Sequence, residues 1–216
     1  MNNRKLIIEG GQFWHIAGGY DQYNTKDVTL NVRMKGGTIH GSIYGGAARY
    51  AAYGSKQLVF TGGTIEGWIA GAANGNLSNS NGDGQTNGYS YVYVGGNTIV
   101  SSGGSNTKID NSVGGNVFGA GCGNTSVASS GRIIDGSNVV VADNAYVERG
   151  VYGGGAYGDS PATAKVYVTG GHVGSVYDTQ NKVFGGVYGG ARQKAGGEVE
   201  VYCIITICPK TNFYFA

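Results

Sequence analysis

Charge and proline are both scarce in this sequence of 216 residues: 13% of the residues are charged and 2 are proline. The formal net charge of +2 provides no basic surface for nucleic acid or for an acidic membrane. No run of about eighteen apolar residues occurs, so the sequence predicts no membrane span. The apolar run Leu6-Ile7-Ile8 is too short for a signal peptide. The chain is therefore cytosolic, or a mature form or fragment without its signal.

Cysteine is rare as well, with 3 residues, and the spacing does not suit a disulfide framework. Cys203 and Cys208 lie in a strand-like segment, where an extended chain separates them by roughly 16 Å. Cys122 lies in a glycine-rich turn without a CxxC motif or a neighbouring histidine. We expect no disulfide, no metal site and no cofactor.

Glycine, by contrast, is abundant, with 43 residues. There is no G-X-Y period, which excludes collagen, and apolar residues recur at fixed offsets, which argues against glycine-rich disorder. The stretch KGGTIHGSIYGGA at residues 35–47 returns in altered form along the chain, for example as GGTIEGWIAGA at 62–72. A period near 26 residues indicates a repeat architecture.

Apolar residues alternate before the first glycine of each repeat and reappear three residues after it. Val32 and Met34 precede Gly36, for example, and Ile39 follows it. Alternation predicts a strand with one buried face, and the glycine allows the chain to turn a corner. A second apolar column precedes the second glycine pair: Ile16, Ile43, Ile69, Val117, Val151 and Val187.

The same offsets extend to the irregular repeats. They place Ile99 and Tyr146 on the buried face, in the positions of Ile39 and Ile65. In the last repeat they align Val199 and Val201 with Val166 and Val168, and put Cys203 where the glycine would stand.

The sequence therefore predicts an all-β fold: a parallel β-helix, or β-solenoid, of about seven coils over residues 1–202. Parallel crossovers are usually right-handed, which predicts a right-handed winding. Residues 203–216 lose their glycines and are predicted to be a C-terminal strand or cap, or a truncated further coil. Open ends would expose unpaired strand edges and permit end-to-end self-association.

Extra residues lengthen most repeats at one point, after the second glycine pair, so we expect the insertions to emerge on one side of the solenoid. These insertions are residues 20–26, 48–56, 74–89, 121–136, 155–164 and 192–197. Two others, at 100–113 and 174–183, leave from a different corner.

Aromatic residues are the candidate ligand-binding groups. Rings that follow inward aliphatic residues should point outward, because side chains alternate along a strand. Such rings suit recognition of sugars or proteins; alternatively, they stack on one another and stabilise the ladder. The candidates are Tyr44, Phe118, Tyr152 and Tyr188 beside the second glycine pair, with Tyr50 and Tyr157 in the inserted turns.

Signals for catalysis and metal binding are weak. The acids are scattered without the paired carboxylates that glycoside hydrolysis needs. His40 and Glu66 occupy the same repeat position one coil apart, so we expect them about 5 Å apart on an outward face; a surface ladder contact is the alternative. Residues 79–84 resemble the start of a calcium loop, but the twelfth position is Ser90 instead of glutamate. We assign no catalytic residue.

The pattern GG-x-[IV]…[IV]-Y-G-G, over about residues 6–202, resembles the glycine-rich parallel β-helix domains of bacterial adhesin-like surface proteins. The resemblance implies a secreted or cell-surface, non-catalytic module for adhesion, with a glycan or a host or cell-surface protein as its ligand. Two alternatives stay open. One is a polysaccharide-processing β-helix enzyme, either a hydrolase or a lyase, and the other is a purely structural spacer.

Overall fold

The computed structural model describes residues 2–19, 28–47, 52–75, 85–102, 114–123, 130–157, 163–175, 177–178, 183–192, 198–203 and 213–214. Over these ranges the secondary structure consists of β-strands. No helix in this part of the chain has the length and apolar character needed to cross a membrane.

Three parallel sheets form the body of the molecule. Sheet A contains Asn2–Ile8, Val28–Met34, Lys56–Phe60, Tyr89–Val94, Gly136–Val141, Ala164–Val168 and Val199–Cys203. Sheet B contains Gln12–Phe13, Thr38–Ile39, Thr64–Ile65, Ile99–Val100, Tyr146–Val147 and His172–Val173. Sheet C contains Ile16–Ala17, Ile43–Tyr44, Trp68–Ala70, Asn116–Phe118, Val151–Tyr152, Val187–Tyr188 and Phe213–Tyr214.

Successive coils supply neighbouring strands in every sheet. The chain visits sheets A, B and C in turn and then returns to A one strand further along. Sheets A and C are each seven strands deep. The predicted parallel β-helix is therefore confirmed, whereas its right-handed winding stays a prediction.

The interior is formed by columns of aliphatic side chains, because the register repeats from coil to coil. In sheet C each member of the second predicted column pairs with the corresponding residue of the next coil. Burial of each such side chain contributes about 1.5–3 kcal/mol. The column consists of Ile16, Ile43, Ile69, Val117, Val151 and Val187, all buried.

The corner between sheets A and B differs in two coils from the sequence prediction. Ile99 is 42% exposed, while the next residue, Val100, is buried and pairs with Ile65. Tyr146 is likewise half-buried, and its neighbour Val147 is buried. The prediction that Ile99 and Tyr146 lie inside is therefore wrong by one residue.

An additional turn residue explains this shift. In the regular coils the second glycine of the pair has a positive φ, as at Gly37 (φ 93°). Counted from the paired strand residues Met34, Val94 and Val141, the positive φ of the irregular coils occurs one position earlier, at Gly96 (58°) and Asp143 (57°). There a backbone N–H bonds back to the carbonyl three residues before it, from Thr98 to Gly95 in the first case. This tighter turn needs one more residue before sheet B begins.

The last strand of sheet A also departs from the predicted register. Val201 pairs with Val166, and Cys203 pairs with Val168, so the alignment of Val199 with Val166 is wrong by two residues. A shift of two keeps the same side chains on the same face, and so alternation alone cannot distinguish the two registers.

The second glycine pair is required by close packing between sheets C and A. A Cβ built on Gly119 would lie 2.2 Å from the carbonyl oxygen of Gly153 in the next coil and 2.9 Å from the Cβ of Ser137 in sheet A. The inward serines of sheet A bond to the glycine carbonyls of sheet C: Ser90 Oγ donates to the Gly119 carbonyl at 2.6 Å, and Ser137 Oγ to the Gly153 carbonyl at 2.5 Å. The glycines therefore allow the two sheets to meet with their buried hydroxyls satisfied.

Segments outside the three sheets lie where the insertions were predicted. Ala52–Tyr53 and Thr86–Asn87 form a short parallel pair on the connection from sheet C to sheet A. Tyr177–Asp178 and Val183–Phe184 form a short antiparallel pair on the connection from sheet B to sheet C. At the C-terminus, Phe213–Tyr214 pairs with Val187–Tyr188 and extends sheet C.

Candidate functional site

The four predicted rings of sheet C are on the side of the sheet away from the aliphatic columns, but they are not exposed. Tyr44 is 4%, Phe118 0% and Tyr152 6% exposed, and Tyr188 is half-buried. The rings therefore point away from the aliphatic columns, as predicted, but the first three are buried under other residues. Three of the rings stack along the coils, with centroids 5.0 Å apart for Phe118 and Tyr152 and 4.7 Å apart for Tyr152 and Tyr188.

A second apolar cluster buries these rings. Trp68 packs edge-on against Phe118, with centroids 5.0 Å apart, and lies 6.2 Å from the ring of Tyr157. Cys122 and Ala156, in the connections that leave sheet C, belong to the same cluster. The connections therefore fold back over sheet C as a further layer. The sequence pattern showed which way the rings point but not what covers them.

These positions offer little surface to a ligand. Tyr157 is half-buried, with the guanidinium carbon of Arg192 5.5 Å from its ring centroid, and Tyr50 lies outside the described residues. A ligand-binding role for the six candidates stays a prediction. The stacked geometry instead favours the alternative, in which the rings stabilise the ladder.

Sheet A presents a different aromatic surface, which the sequence reasoning missed. In Tyr89–Val94 the buried residues Ser90, Val92 and Val94 alternate with half-buried tyrosines. The sheet register aligns those tyrosines with further outward residues in two columns, which together we call the sheet A outer face. One column is Ile7, Arg33, Val59, Tyr93, Val140, Tyr167 and Tyr202; the other is Lys5, Asn31, Gln57, Tyr91, Asn138, Lys165 and Glu200.

The signal for this face was present in the sequence. Once Val92 and Val94 are assigned to the interior, the residues between them must point the other way. The same argument applies to Tyr167, which lies between Val166 and Val168. The residues that lie between the inward residues of each sheet A strand therefore identify the sheet A outer face from the sequence.

Hydrogen bonds and ion pairs hold the polar tips of these tyrosines. Tyr167 donates to Glu200 Oε1 at 3.0 Å, and Lys165 Nζ lies 2.7 Å from Glu200 Oε2. The hydrogen bonds from Lys165 and Tyr167 lower the pKa of Glu200, and the bond to Glu200 raises the pKa of Tyr167. The rings of Tyr167 and Tyr202 lie 6.0 Å apart at a tilt of 49°.

A similar arrangement occurs two coils earlier. Tyr93 donates its hydroxyl to Asp143 Oδ2 at 2.8 Å, and the Gly96 N–H donates to the same oxygen at 2.8 Å. The bond from Gly96, followed by that from Tyr93, lowers the pKa of Asp143. The bond to Asp143 raises the pKa of Tyr93. These contacts restrain the phenol ring at the edge of the sheet A outer face.

His40 and Glu66 are adjacent, as predicted. His40 Nδ1 lies 2.8 Å from Glu66 Oε2, and His40 Nε2 lies 3.4 Å from Gln12 Oε1. The ring of Trp14, which is 58% exposed, lies 5.5 Å from the imidazole ring. The pair is partly buried, with side-chain exposures of 30% and 25%. It places one carboxylate beside one imidazole at the surface.

Metal chemistry finds no support in the described part of the chain, where His, Cys, Asp and Glu form no group of three or more that would hold a metal ion. Cys122 and Cys203 are not joined in a disulfide. The calcium-loop candidate at residues 79–84 lies outside the described ranges.

The geometry defines the class of this protein as a glycine-rich parallel β-helix with a tyrosine-bearing outer face. No protein-family model matches the chain, and neither curated proteins nor solved structures give a match. The resemblance to adhesin-like domains therefore remains an expectation from the repeat pattern.

Proposed function

We propose that this protein is a non-catalytic binding module of a secreted or cell-surface protein, which holds a glycan or a protein ligand on the sheet A outer face. One observation carries the proposal: Tyr91, Tyr93, Tyr167 and Tyr202 stand in register on the outward side of a seven-stranded parallel sheet.

Physical chemistry supports this use of the face. A phenol ring offers an apolar surface to sugar C–H groups or to apolar side chains, together with a polar edge. The hydroxyls of Tyr93 and Tyr167 are already bonded to carboxylates, so less side-chain freedom is lost on binding. Strands about 4.8 Å apart repeat the contact along the rod, which favours an extended ligand that makes many weak contacts.

The test is a binding screen on arrays of glycans and of cell-surface proteins, with Tyr167→Ala and Tyr202→Ala as variants. We expect a ligand whose retention falls about tenfold in each variant, given the usual energy of a ring contact. Tyr146→Ala is the matched control, because Tyr146 is an outward ring on sheet B, stacked on His172 at 5.4 Å. Equal loss in the control, or unchanged binding in both test variants, would remove the sheet A outer face from the proposal.

An enzyme that processes polysaccharides is the second candidate, and the His40–Glu66 contact of 2.8 Å is the observation that favours it. An imidazole next to a carboxylate can carry a proton. Against it, glycoside hydrolysis normally uses two carboxylates, and the contact supplies one. Incubation with polysaccharides, followed by assay of reducing ends and unsaturated uronides, tests whether the protein is such an enzyme. Activity that disappears in Glu66→Gln would replace the binding proposal.

A further inference from the structure

A groove opens where the connections from sheet C enter sheet A. It has a volume of about 660 Å³. Its side-chain lining comes from Thr29, Tyr53, Ser55, Asn87 and Asp135. These residues belong to four successive coils, so the groove is a product of the stacking and is absent from any single repeat.

The floor of the groove is bare backbone. Gly54 and Gly88 line it with φ values of 85° and 124°. A Cβ on Gly88 would lie 2.6 Å from the carbonyl carbon of Gly54 and 2.9 Å from the nitrogen of Ser55. Beneath the floor, Lys56 Nζ donates to the carbonyls of Tyr53 and Gly54 at 2.8 and 2.9 Å. The buried lysine thereby holds this segment in place.

The lining chemistry selects the class of ligand. Among the described residues that line the groove, Asp135 carries the only charge, which disfavours phosphates and other anions. A single carboxylate is too few for a calcium site, which takes six to eight oxygen ligands. One ring, two hydroxyls, an amide and a carboxylate instead suit a neutral molecule with many hydroxyl groups.

The groove adjoins the N-terminal ends of the sheet A strands. Ser55 Oγ accepts a hydrogen bond from the Tyr89 N–H at 3.3 Å, and Tyr89 begins the strand that carries Tyr91 and Tyr93. A glycan on the tyrosines would reach the groove where one of its ends turns along a strand past Tyr89.

We propose that this groove binds a single neutral sugar residue, the terminal residue of the glycan held on the sheet A outer face. The Asp135 carboxylate and the Asn87 amide bond to its hydroxyl groups, and the Tyr53 ring borders its apolar face. The inference rests on the proposed function and specifies a glycan as the ligand.

The test is saturation-transfer NMR titration with D-glucose, D-galactose, D-mannose and N-acetyl-D-glucosamine. We expect at least one of them to bind saturably, and roughly tenfold more weakly in Asp135→Ala and Asn87→Ala, which remove hydrogen bonds at exposed positions. Tyr202→Ala, on the outer face away from the groove, leaves the monosaccharide affinity unchanged. Where D-glucose binds, D-glucuronate binds more weakly, and Asp135→Asn narrows that difference.

The outcomes separate the two proposals. Two results would contradict the groove proposal and leave the proposed function standing. In the first, a monosaccharide binds saturably with the same affinity in wild type, Asp135→Ala and Asn87→Ala. In the second, no monosaccharide binds, although the glycan array retains the wild type and Tyr167→Ala abolishes that retention. If the wild type binds no glycan on the array and no monosaccharide in the NMR titration, the groove proposal is wrong. The proposed function is then wrong as well, unless the protein array yields a ligand.

Discussion

Lys56 is a charged residue in an interior position, and it shows how one side chain is accommodated in the solenoid. It is 3% exposed, and its ammonium group donates to two backbone carbonyls. Burial, followed by the nearby positive charge of Arg4, lowers its pKa from 10.5 to about 8. In the sheet register it occupies the same interior position as Leu30 and Ser90, so the repeat pattern predicts its inward direction but not its partners.

The lowered pKa of Lys56 predicts a pH-dependent stability. Between pH 8 and 10.5 the unfolded chain binds a proton at Lys56 that the folded chain has released. The free energy of unfolding contributed by this residue therefore rises with pH across that window, by up to about 3 kcal/mol, and the contribution is lost as the pH falls through 8.

Urea unfolding of the wild type and of Lys56→Met, measured at matched pH values, checks this prediction. Tyrosine ionisation affects both proteins alike and cancels in the comparison. We expect the variant to be relatively more stable at pH 7 than at pH 10.5. Parallel pH profiles for the two proteins would contradict the lowered pKa.

Phe118 tests the burial of the sheet C rings at the scale of one residue. It is fully buried between Trp68 and Tyr152, so Phe118→Ala should lower the free energy of unfolding by about 3–5 kcal/mol. Denaturant unfolding measures the change. A loss below about 0.5 kcal/mol, typical of surface positions, would show that the ring is exposed.

At the scale of the element, the sequence predicted the strands well because alternation and glycine corners have direct physical causes. The column from Ile16 to Val187 pairs throughout as expected. The corner at Gly96 was misplaced because strand alternation aligns Gly96 with Gly36, although the positive φ of that regular coil is at Gly37 and here it is at Gly96 itself. The predicted register of the last sheet A strand was wrong by two residues because both registers bury the same face.

The close approach around Gly119 predicts a loss of stability when a side chain is added there. Gly119→Ala would bring a Cβ within 2.2 Å of the Gly153 carbonyl oxygen and 2.9 Å of the Ser137 Cβ, so we expect a loss of about 1–3 kcal/mol in unfolding free energy from overpacking. Gly190→Ala is the matched control, since a Cβ there meets nothing within 4 Å, and it should change stability by less than about 0.5 kcal/mol. Equal effects of the two substitutions in thermal or urea unfolding would show that the sheets do not approach so closely.

At the scale of the whole molecule, coil stacking turns local repeats into long surfaces. Each strand exposes few side chains, yet seven strands in register produce the sheet A outer face. The first coil also exposes apolar side chains, with Leu6 38%, Phe13 38% and Trp14 58% exposed. The location of the proposed binding surfaces therefore depends on the parallel register and cannot be derived from one repeat alone.

The parallel register is tested most directly by solution NMR, through interstrand backbone NOEs in sheet C. We expect NOEs between the amides around Ile43 and Ile69 and between those around Val117 and Val151, which pair in the structure, together with the absence of the close Hα–Hα contacts of antiparallel strands. Close Hα–Hα contacts between these strands, or NOEs that connect Ile43 and Val151 to unrelated positions, would contradict the stacked coils and every surface derived from them.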